Sequence, residues 1–274
     1  MPTQMSPEDV RATVRDRYAE RATSCCGPDP ARHAREIGYD EAALTAVPAE
    51  ANLGLGCGNP IGLAGLQPGE TVLDLGSGAG FDALLAAQAV GPTGRVIGVD
   101  MTPEMVAKAR ANARAAGVDH VEFHEGAIEA LPLPDASVDV VISNCVVNLS
   151  PEKPRVFAEA FRVLRPGGRL LVSDIVLRRP LPEAVRQSVD AWVGCIAGAA
   201  LRDEYLAAIC AAGFVDVRVE RDTDASALLG AVDPSDPLLA AVIEAAGGLQ
   251  QACALAADVA SVAVAARKPQ ATAS

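Results

Sequence analysis

The stretch VLDLGSGAG, from Val72 to Gly80, decides the fold of this chain. Its first four residues read as a short apolar strand, and a tight turn with three glycines follows. Small residues let the backbone approach a ligand, and the helix that begins at Phe81 offers free N–H groups in its first turn. This strand–turn–helix unit predicts a site for a nucleotide-like cofactor beyond the carboxyl end of a strand.

Apolar strands and helices alternate along the chain around this unit. The predicted strands are Thr71–Leu75, Arg95–Val99, Val121–His124, Val138–Asn144 and Arg169–Ile175, and the helices between them are Phe81–Val90, Thr102–Ala116 and Glu152–Leu164. Such alternation with short connections implies a parallel sheet with right-handed crossovers. We therefore predict the α/β class, with helices on both faces of the sheet.

The flanking segments follow a different pattern and suggest three parts. Residues 1–68 combine a polar helix, Pro7–Ala22, with glycine-rich loops and are predicted to form an N-terminal cap. Residues 69–180 form the cofactor-binding core. Residues 181–274 are predicted to form a C-terminal α+β extension, with helices at Glu183–Trp192, Asp203–Ala212 and Pro237–Ala246 and strands at Val215–Val219 and Ala260–Ala266.

Composition limits the kinds of partner. Of the 274 residues, 50% are hydrophobic and 21% are charged, which suits a folded chain with a large core. A formal net charge of −12 argues against nucleic acid and anionic membranes, because both need basic patches. No apolar run approaches the roughly 18 residues of a membrane span, and the polar start of the chain does not resemble a signal peptide. We expect a cytoplasmic monomer that acts on a small molecule.

The seven cysteines are predicted to be free thiols. Their number is odd and no CxxC pair is present, so structural disulfides and zinc ribbons are unsupported. Cys145 follows the strand Val138–Asn144, where it would face a bound cofactor. Cys57 and Cys195 lie in loop-like segments, and soft thiolates select thiophilic centres. Cys210 lies in an apolar helix and is expected in the core, whereas Cys253 receives no role.

The cofactor residues follow from the turn and from the end of the next strand. That strand ends at Asp100, 20 residues after Gly80 (100 − 80), where a carboxylate can accept both hydroxyls of a ribose. Met101 is placed to pack on an adenine. The spacing of the turn is GxGxG, because Phe81 stands where the nicotinamide fingerprint would need glycine. The candidate residues are Asp74, Gly76, Ser77, Gly78, Gly80, Asp100 and Met101.

Four segments together resemble the class I S-adenosylmethionine-dependent methyltransferases: Val72–Gly80, Gly98–Met101, Asp139–Val141 and Arg165–Gly168. The resemblance implies a Rossmann-like sheet, with S-adenosylmethionine as the methyl donor. It extends the cofactor-binding set to Ile128, Glu129 and Asn144. Glu129 matches the family segment beside the adenine, and its alternative reading is a solvated glutamate at the start of a helix.

A narrower resemblance is to the arsenite methyltransferases. It rests on the segments Ser24–Cys26, Asn52–Pro60, Val99–Met105, Ile142–Ser150 and Gly194–Ala199. It implies that Cys57, Cys145 and Cys195 bind an As(III) substrate, with Cys145 nearest the methyl group. The vicinal pair Cys25 and Cys26 would then have a redox role and relay electrons from thioredoxin, through a transient encounter, or from glutathione.

Two other functions remain open from the sequence. A methyltransferase of the same fold that acts on a quinone or sterol would explain the core motifs but not the three loop cysteines. A sensor or sequestering protein that binds metalloids through thiols would explain the cysteines, but it has no use for the glycine turn or Asp100. Tyr18 and Trp192 are candidates for side chains that cover the cofactor or the metalloid.

Overall fold

The computed structural model describes residues 5–23, 29–224 and 237–271, and its centre is one mixed sheet of seven strands. The strands are β1 (Thr71–Leu75), β2 (Arg95–Asp100), β3 (Val121–Glu125), β4 (Val138–Asn144), β5 (Leu164–Leu177), β6 (Val215–Asp224) and β7 (Val259–Arg267). Their order is β3-β2-β1-β4-β5-β7-β6. Strands β1 to β5 are parallel, β7 is antiparallel to β5, and β6 is antiparallel to β7. The predicted α/β class is confirmed.

Helices cover both faces of the sheet. They are α1 (Pro7–Thr23), α2 (Pro30–Glu36), α3 (Glu41–Ala46), α4 (Ile61–Ala64), α5 (Phe81–Val90), α6 (Pro103–Ala116), α7 (Lys153–Val163), α8 (Glu183–Gln187), α9 (Val189–Val193) and α10 (Arg202–Ala211), followed by two near the C-terminus, Pro237–Ala246 and Leu249–Ala256. Short 3₁₀ turns lie at Ala49–Ala51 and Val147–Leu149. No helix among the described residues is long and apolar enough to cross a membrane.

The central strands are buried on both sides, so their side chains divide between two cores. In β1, Leu73 and Leu75 join the core beneath α7 and α10, whereas Val72 joins the core beneath α5 and α6. Successive side chains of a strand point to opposite faces, which explains this alternation. Continuous apolar strands are the pattern expected of a parallel sheet covered on both faces.

The N-terminal segment packs directly on the sheet domain. Ile37 and Tyr39 share a core with Val72 and Leu84. A third apolar cluster lies over the carboxyl ends of the strands and includes Val14 of α1. The N-terminal elements therefore cover the end of the sheet where a ligand is expected.

Three details differ from the sequence-based predictions. The helix predicted over Glu183–Trp192 is two helices, because Ser188 is extended (ψ 119°) and its hydroxyl accepts from the backbone N–H of Ala191 at 3.2 Å. Strand β5 extends beyond the predicted Arg169–Ile175 at both ends. The prediction that Cys210 lies in the core is wrong, since its side chain is exposed. Cys25 and Cys26 lie outside the described residues.

Candidate functional site

A cavity opens at the carboxyl ends of β1, β2 and β4. It encloses about 1100 Å³, part of it open to solvent. Nearly all of the predicted cofactor residues line it: Asp74, Gly76, Ser77, Gly78, Asp100, Met101, Ile128, Glu129 and Asn144. Gly80 is not among the lining residues and instead begins α5. Cys145 is the one predicted metalloid ligand that lines the cavity.

Glycine is required at two positions of the turn for different reasons. Gly76 has φ of +65°, and a Cβ atom there would lie 2.3 Å from a methyl carbon of Val146. Gly78 has φ of +50°, yet a Cβ there would meet no atom within 4 Å, because this part of the turn borders the cavity. The turn therefore exposes bare backbone to a ligand, as phosphate- and nucleoside-binding turns do.

Asp100 holds the glycine turn in place. One carboxylate oxygen accepts from the N–H of Gly78 and the other from the N–H of Thr102, both at 2.9 Å. Each oxygen has a second lone pair, so the carboxylate can still accept from hydroxyls of a ligand. The predicted ribose contact stays compatible with this geometry.

Asp74 is a buried carboxylate with an unused acceptor. Its side chain is 2% exposed, it accepts from the backbone of Ala83, and no described group hydrogen-bonds to Oδ2. Burial raises its pKa well above the ordinary value, and the nearby carboxylates of Asp82 and Asp100 raise it further. An unpaired buried carboxylate is costly, so this position fits a cationic group of a ligand.

Glu129 is not a solvated glutamate at a helix start. It lies in a turn, is 6% exposed, and accepts a hydrogen bond from the hydroxyl of Ser150 at 2.5 Å. The guanidinium of Arg11 approaches it to 3.8 Å. Since Glu129, Ser150 and Arg11 all line the cavity, this polar group is part of its wall.

The three predicted metalloid cysteines converge beside the cavity. Cys57 comes from the loop before α4, Cys145 follows β4, and Cys195 follows α9. The thiol of Cys145 contacts the thiols of both other cysteines. All three side chains are buried, with exposures of 5 to 7%.

Backbone conformation places two of these thiols. Cys145 has φ of +59° and Cys195 has φ of +62°, in the left-handed region that non-glycine residues rarely adopt. The Cys195 thiol donates to the carbonyl oxygen of Cys145 at 3.2 Å, and the Cys57 thiol donates to that of Ser173 at 3.5 Å. Left-handed non-glycine residues cost roughly 1–3 kcal/mol each and concentrate at functional sites.

A buried carboxylate lies against the thiols. One oxygen of Asp174 and the sulfurs of Cys57 and Cys145 all lie within 4.8 Å of one another. Asp174 accepts from the backbone N–H groups of Asn148 and Ile175 and from the hydroxyl of Tyr205, at 3.0 to 3.1 Å. Its position is therefore held by three donors.

The thiols are neutral in their resting state. Burial raises the pKa of Cys57 to about 11. Contact with Cys145, followed by burial, raises the pKa of Cys195 well above its usual value. For Cys145, contact with Cys195 lowers the pKa, but contact with Cys57 and burial outweigh it, and the pKa is well above the usual value. The site is thus a set of three protonated thiols near neutral pH.

The aromatic candidates lie next to the thiols. The hydroxyl of Tyr18 contacts the Cys195 thiol, and the Tyr18 side chain also lines the cavity. Trp192 is 6% exposed and its indole N–H donates to the carbonyl of Leu149 at 3.2 Å. Helix α1 thereby brings Tyr18 to the wall of the cavity and into contact with one of the thiols.

Asp174 makes stability depend on pH in a way that can be measured. Burial raises its pKa from 3.8 to about 7, although the nearby Lys153 ammonium opposes this shift. Between these values the folded state binds more protons than the unfolded state, so stability falls as pH rises. From about pH 5 to pH 8, we expect the unfolding free energy of the wild type to fall by about 2 kcal/mol more than that of Asp174→Asn. Urea unfolding at both pH values measures this, and parallel changes would contradict a raised pKa.

Sequence reasoning missed several polar residues of the site, and three of them are central to it. Asp82, Tyr39 and Asp174 are each buried and hydrogen-bonded there. Asp82 could have been noticed because it lies two residues after the glycine turn. Asp174, at the carboxyl half of an apolar strand, was a second available signal. Tyr39 lies in a segment whose sequence has no motif.

The chain matches a family described as a methyltransferase domain over residues 66–213. It is 48% identical to an arsenite methyltransferase of Halobacterium salinarum, over 87% of this chain and 67% of that protein. It is 42% identical to an arsenite methyltransferase of Aquipseudomonas alcaligenes, over 61% of this chain but only 50% of the relative. The chain thus spans half to two thirds of the length of these relatives.

The chain is also similar to a solved structure of an arsenic methyltransferase. CrArsM, an arsenic(III) S-adenosylmethionine methyltransferase from Chlamydomonas reinhardtii, aligns with a TM-score of 0.62 and 34% identity. The alignment covers 90% of this chain and 75% of that one.

Proposed function

Because the chain belongs to the arsenite methyltransferase family, we propose that it methylates As(III) held by the thiols of Cys57, Cys145 and Cys195. The observation behind this proposal is the convergence of the three buried thiols beside the cavity. Soft sulfur ligands suit a thiophilic centre such as trivalent arsenic.

The cavity fits S-adenosylmethionine. The unpartnered Oδ2 of Asp74 suits the ammonium of the methionine part, and the bare backbone at Gly78 leaves room for the ligand. Asp100 would accept from the ribose hydroxyls, with Met101, Ile128 and Glu129 lining the remaining wall. When bound, this cofactor supplies a methyl group that its sulfonium has already activated.

Neutral thiols suit neutral arsenous acid. Each thiol replaces one hydroxyl of As(OH)₃: an As–S bond forms, an As–O bond breaks, and the thiol proton leaves with the hydroxyl as water. Three exchanges release three waters and change no charge. A site of low polarity can accommodate this exchange, whereas binding a bare divalent cation would bury net charge. Asp174, next to two of the sulfurs, would orient them during the exchange.

The residues of the site then align the acceptor. Trivalent arsenic bound to three sulfurs keeps a lone pair and has no proton to remove, so no general base is required. Cys145 is the only one of the three cysteines among the described lining residues, which supports the proposal that its sulfur lies nearest the methyl group. Alignment of the two reacting groups is the main contribution expected of the protein.

We propose a redox role for Cys25 and Cys26. Methyl transfer releases S-adenosylhomocysteine and raises arsenic formally from As(III) to As(V). Two of the thiolates then leave as a disulfide and return two electrons to arsenic. Water adds to the resulting methylarsenic cation and a proton leaves, so that neutral trivalent methylarsenic remains on the third thiolate. A thiol of the vicinal pair would reopen that disulfide by exchange, with thioredoxin or glutathione as the final source of electrons.

We also propose that the enzyme acts as a cytoplasmic monomer that meets thioredoxin only transiently. The support is indirect: the free buried thiols need a reducing compartment, and the net charge of −12 favours solubility. Reduced thioredoxin should therefore sustain repeated turnover in place of an added small thiol.

Two alternatives predict different products. A methyltransferase for an organic acceptor has no use for three converging thiols, and a binder that does not catalyse has no use for the cavity at Asp74.

To test the proposal, purified protein is incubated with arsenite, S-adenosylmethionine and a thiol reductant, and the arsenic species are separated over time. We expect methylated arsenicals to accumulate with consumption of the methyl donor, and Cys210→Ser, which changes an exposed cysteine, should behave as the wild type. Arsenite binding without methylated product would contradict the proposal.

A further inference from the structure

One side chain joins the thiol loop to the cofactor cavity. The amide oxygen of Asn144 accepts from the backbone N–H groups of Cys57 at 3.0 Å and Gly58 at 3.3 Å. Its amide nitrogen donates to the carbonyl of Gly58 at 2.8 Å. The backbone at Cys57 and Gly58 is thus held on both its N–H and C=O sides by this single amide.

The same nitrogen also reaches the cofactor side. It donates to Oδ2 of Asp82 at 3.0 Å and lies 3.1 Å from the hydroxyl oxygen of Tyr39, which itself donates to Asp82 at 2.5 Å. Asp82 is buried beside Asp74, the carboxylate with the unused acceptor. Asp82 itself lines the cavity beside Asp74. Hydrogen bonds therefore run from Asp82, in the cavity wall, through Asn144 to Cys57.

The side-chain amide of Asn144 has little room to move relative to the Cys57 loop. A Cβ atom on Gly56 would lie 2.7 Å from the amide nitrogen of Asn144, so the loop closes tightly over it. Any shift of Asp82 must move Asn144 or break its hydrogen bond. A shift of Asn144 must in turn release the N–H of Cys57.

We propose that Asn144 couples cofactor binding to arsenite binding, which goes beyond the role of a cofactor contact and rests on the proposed function. A ligand whose ammonium lies between the carboxyl groups of Asp74 and Asp82 fixes Asp82, and Asp82 fixes Asn144 and the Cys57 loop. Arsenite then binds a thiol loop that is already ordered. Because the ligand in the cofactor cavity has already ordered this loop, arsenite binding loses less conformational entropy. Coupling of this kind is reciprocal.

The test is the ratio of arsenite dissociation constants without and with S-adenosylhomocysteine, which has the ammonium but no methyl to transfer. Arsenite binding is measured by equilibrium dialysis, with fluorescence of Trp192, the one tryptophan of the chain, as a local signal. For the wild type we expect a ratio of about 10, within the usual range for coupled sites.

Asn144→Asp removes the link to Asp82. It keeps the oxygen that accepts from Cys57 and Gly58 but replaces the nitrogen that donates to Asp82 and to the carbonyl of Gly58 with an acceptor. We expect the ratio of the two dissociation constants to fall to about 1, whatever the affinity of each ligand alone becomes. The matched control is Asn59→Asp: Asn59 lies near the same loop but bonds only to Gly38 and Gly62, and its ratio should stay at the wild-type value.

Three outcomes separate the two claims. A wild-type ratio of 1, or a wild-type ratio retained by Asn144→Asp, would overturn the coupling and leave the proposed function intact. Failure of the wild type to bind arsenite at all would overturn both. If Asn144→Asp does not fold, Asp82→Ala decides: it removes the acceptor that links the cavity wall to Asn144, and an undiminished ratio there would reject the coupling.

Discussion

Replacement of Cys145 by serine is expected to lower the rate of arsenite methylation by at least about 100-fold, because it removes the sulfur that we propose lies nearest the methyl group, and small misplacements of an acceptor cost rates of that order. Oxygen is a poor ligand for a centre that prefers sulfur. Affinity for S-adenosylmethionine should change little, since the residues proposed to bind its ammonium and its ribose, Asp74 and Asp100, are retained. The measurement pairs product formation with calorimetric binding of the methyl donor.

The Cys145→Ser comparison needs a fold control. A buried serine hydroxyl without a good partner costs on the order of 1–3 kcal/mol, so unfolding curves must show that the variant is folded under assay conditions. Cys253→Ser, which changes an exposed thiol, is the matched substitution and should retain the wild-type rate. Undiminished arsenite turnover by folded Cys145→Ser would show that this sulfur does not hold the substrate.

Asp74→Asn should change ligand binding and stability in opposite directions. Loss of the carboxylate removes a hydrogen bond to a charged group, worth roughly 1.5–3 kcal/mol, so the dissociation constant of S-adenosylmethionine should rise roughly 10- to 100-fold. The folded pKa of Asp74 is raised by burial, so its ionisation destabilises the fold once pH exceeds the pKa of the unfolded chain. Asparagine does not ionise, and we expect the variant to gain about 1 kcal/mol near neutral pH.

Calorimetric titration and urea unfolding measure the two effects of Asp74→Asn. Asp119→Asn changes an exposed aspartate and is the matched control for both. Unaltered affinity for S-adenosylmethionine in Asp74→Asn would show that the methionine ammonium binds elsewhere. A loss of stability would show that the carboxylate is better satisfied than its surroundings indicate.

The parts of the fold encoded locally could be predicted from the sequence. The strand and glycine turn at Val72–Gly80 depend on neighbours in the chain, and the structure places them as expected. Cys210 is predicted to lie in the core because its helix is apolar. That helix has apolar residues on several of its sides, however, and only tertiary packing selects the side that is buried.

The polar network of the site could not be predicted in this way. Tyr39 lies in the loop between α2 and α3, Asp82 in α5 and Asn144 in β4. Their hydrogen bonds exist only once the sheet is assembled. Asp174 lies in an apolar strand, and the sequence does not show which side chains surround its carboxylate. The left-handed conformation of Cys145 likewise depends on the contacts around it, since its residue type does not favour that region.

The central claim is that three named sulfurs hold one arsenic atom. It is tested most directly by arsenic X-ray absorption spectroscopy on a variant in which Cys25, Cys26, Cys210 and Cys253 are all serine, so that only Cys57, Cys145 and Cys195 remain. We predict one arsenic per chain, bound to three sulfurs and no oxygen. A coordination shell that contains oxygen, or fewer than three sulfurs, would contradict the claim.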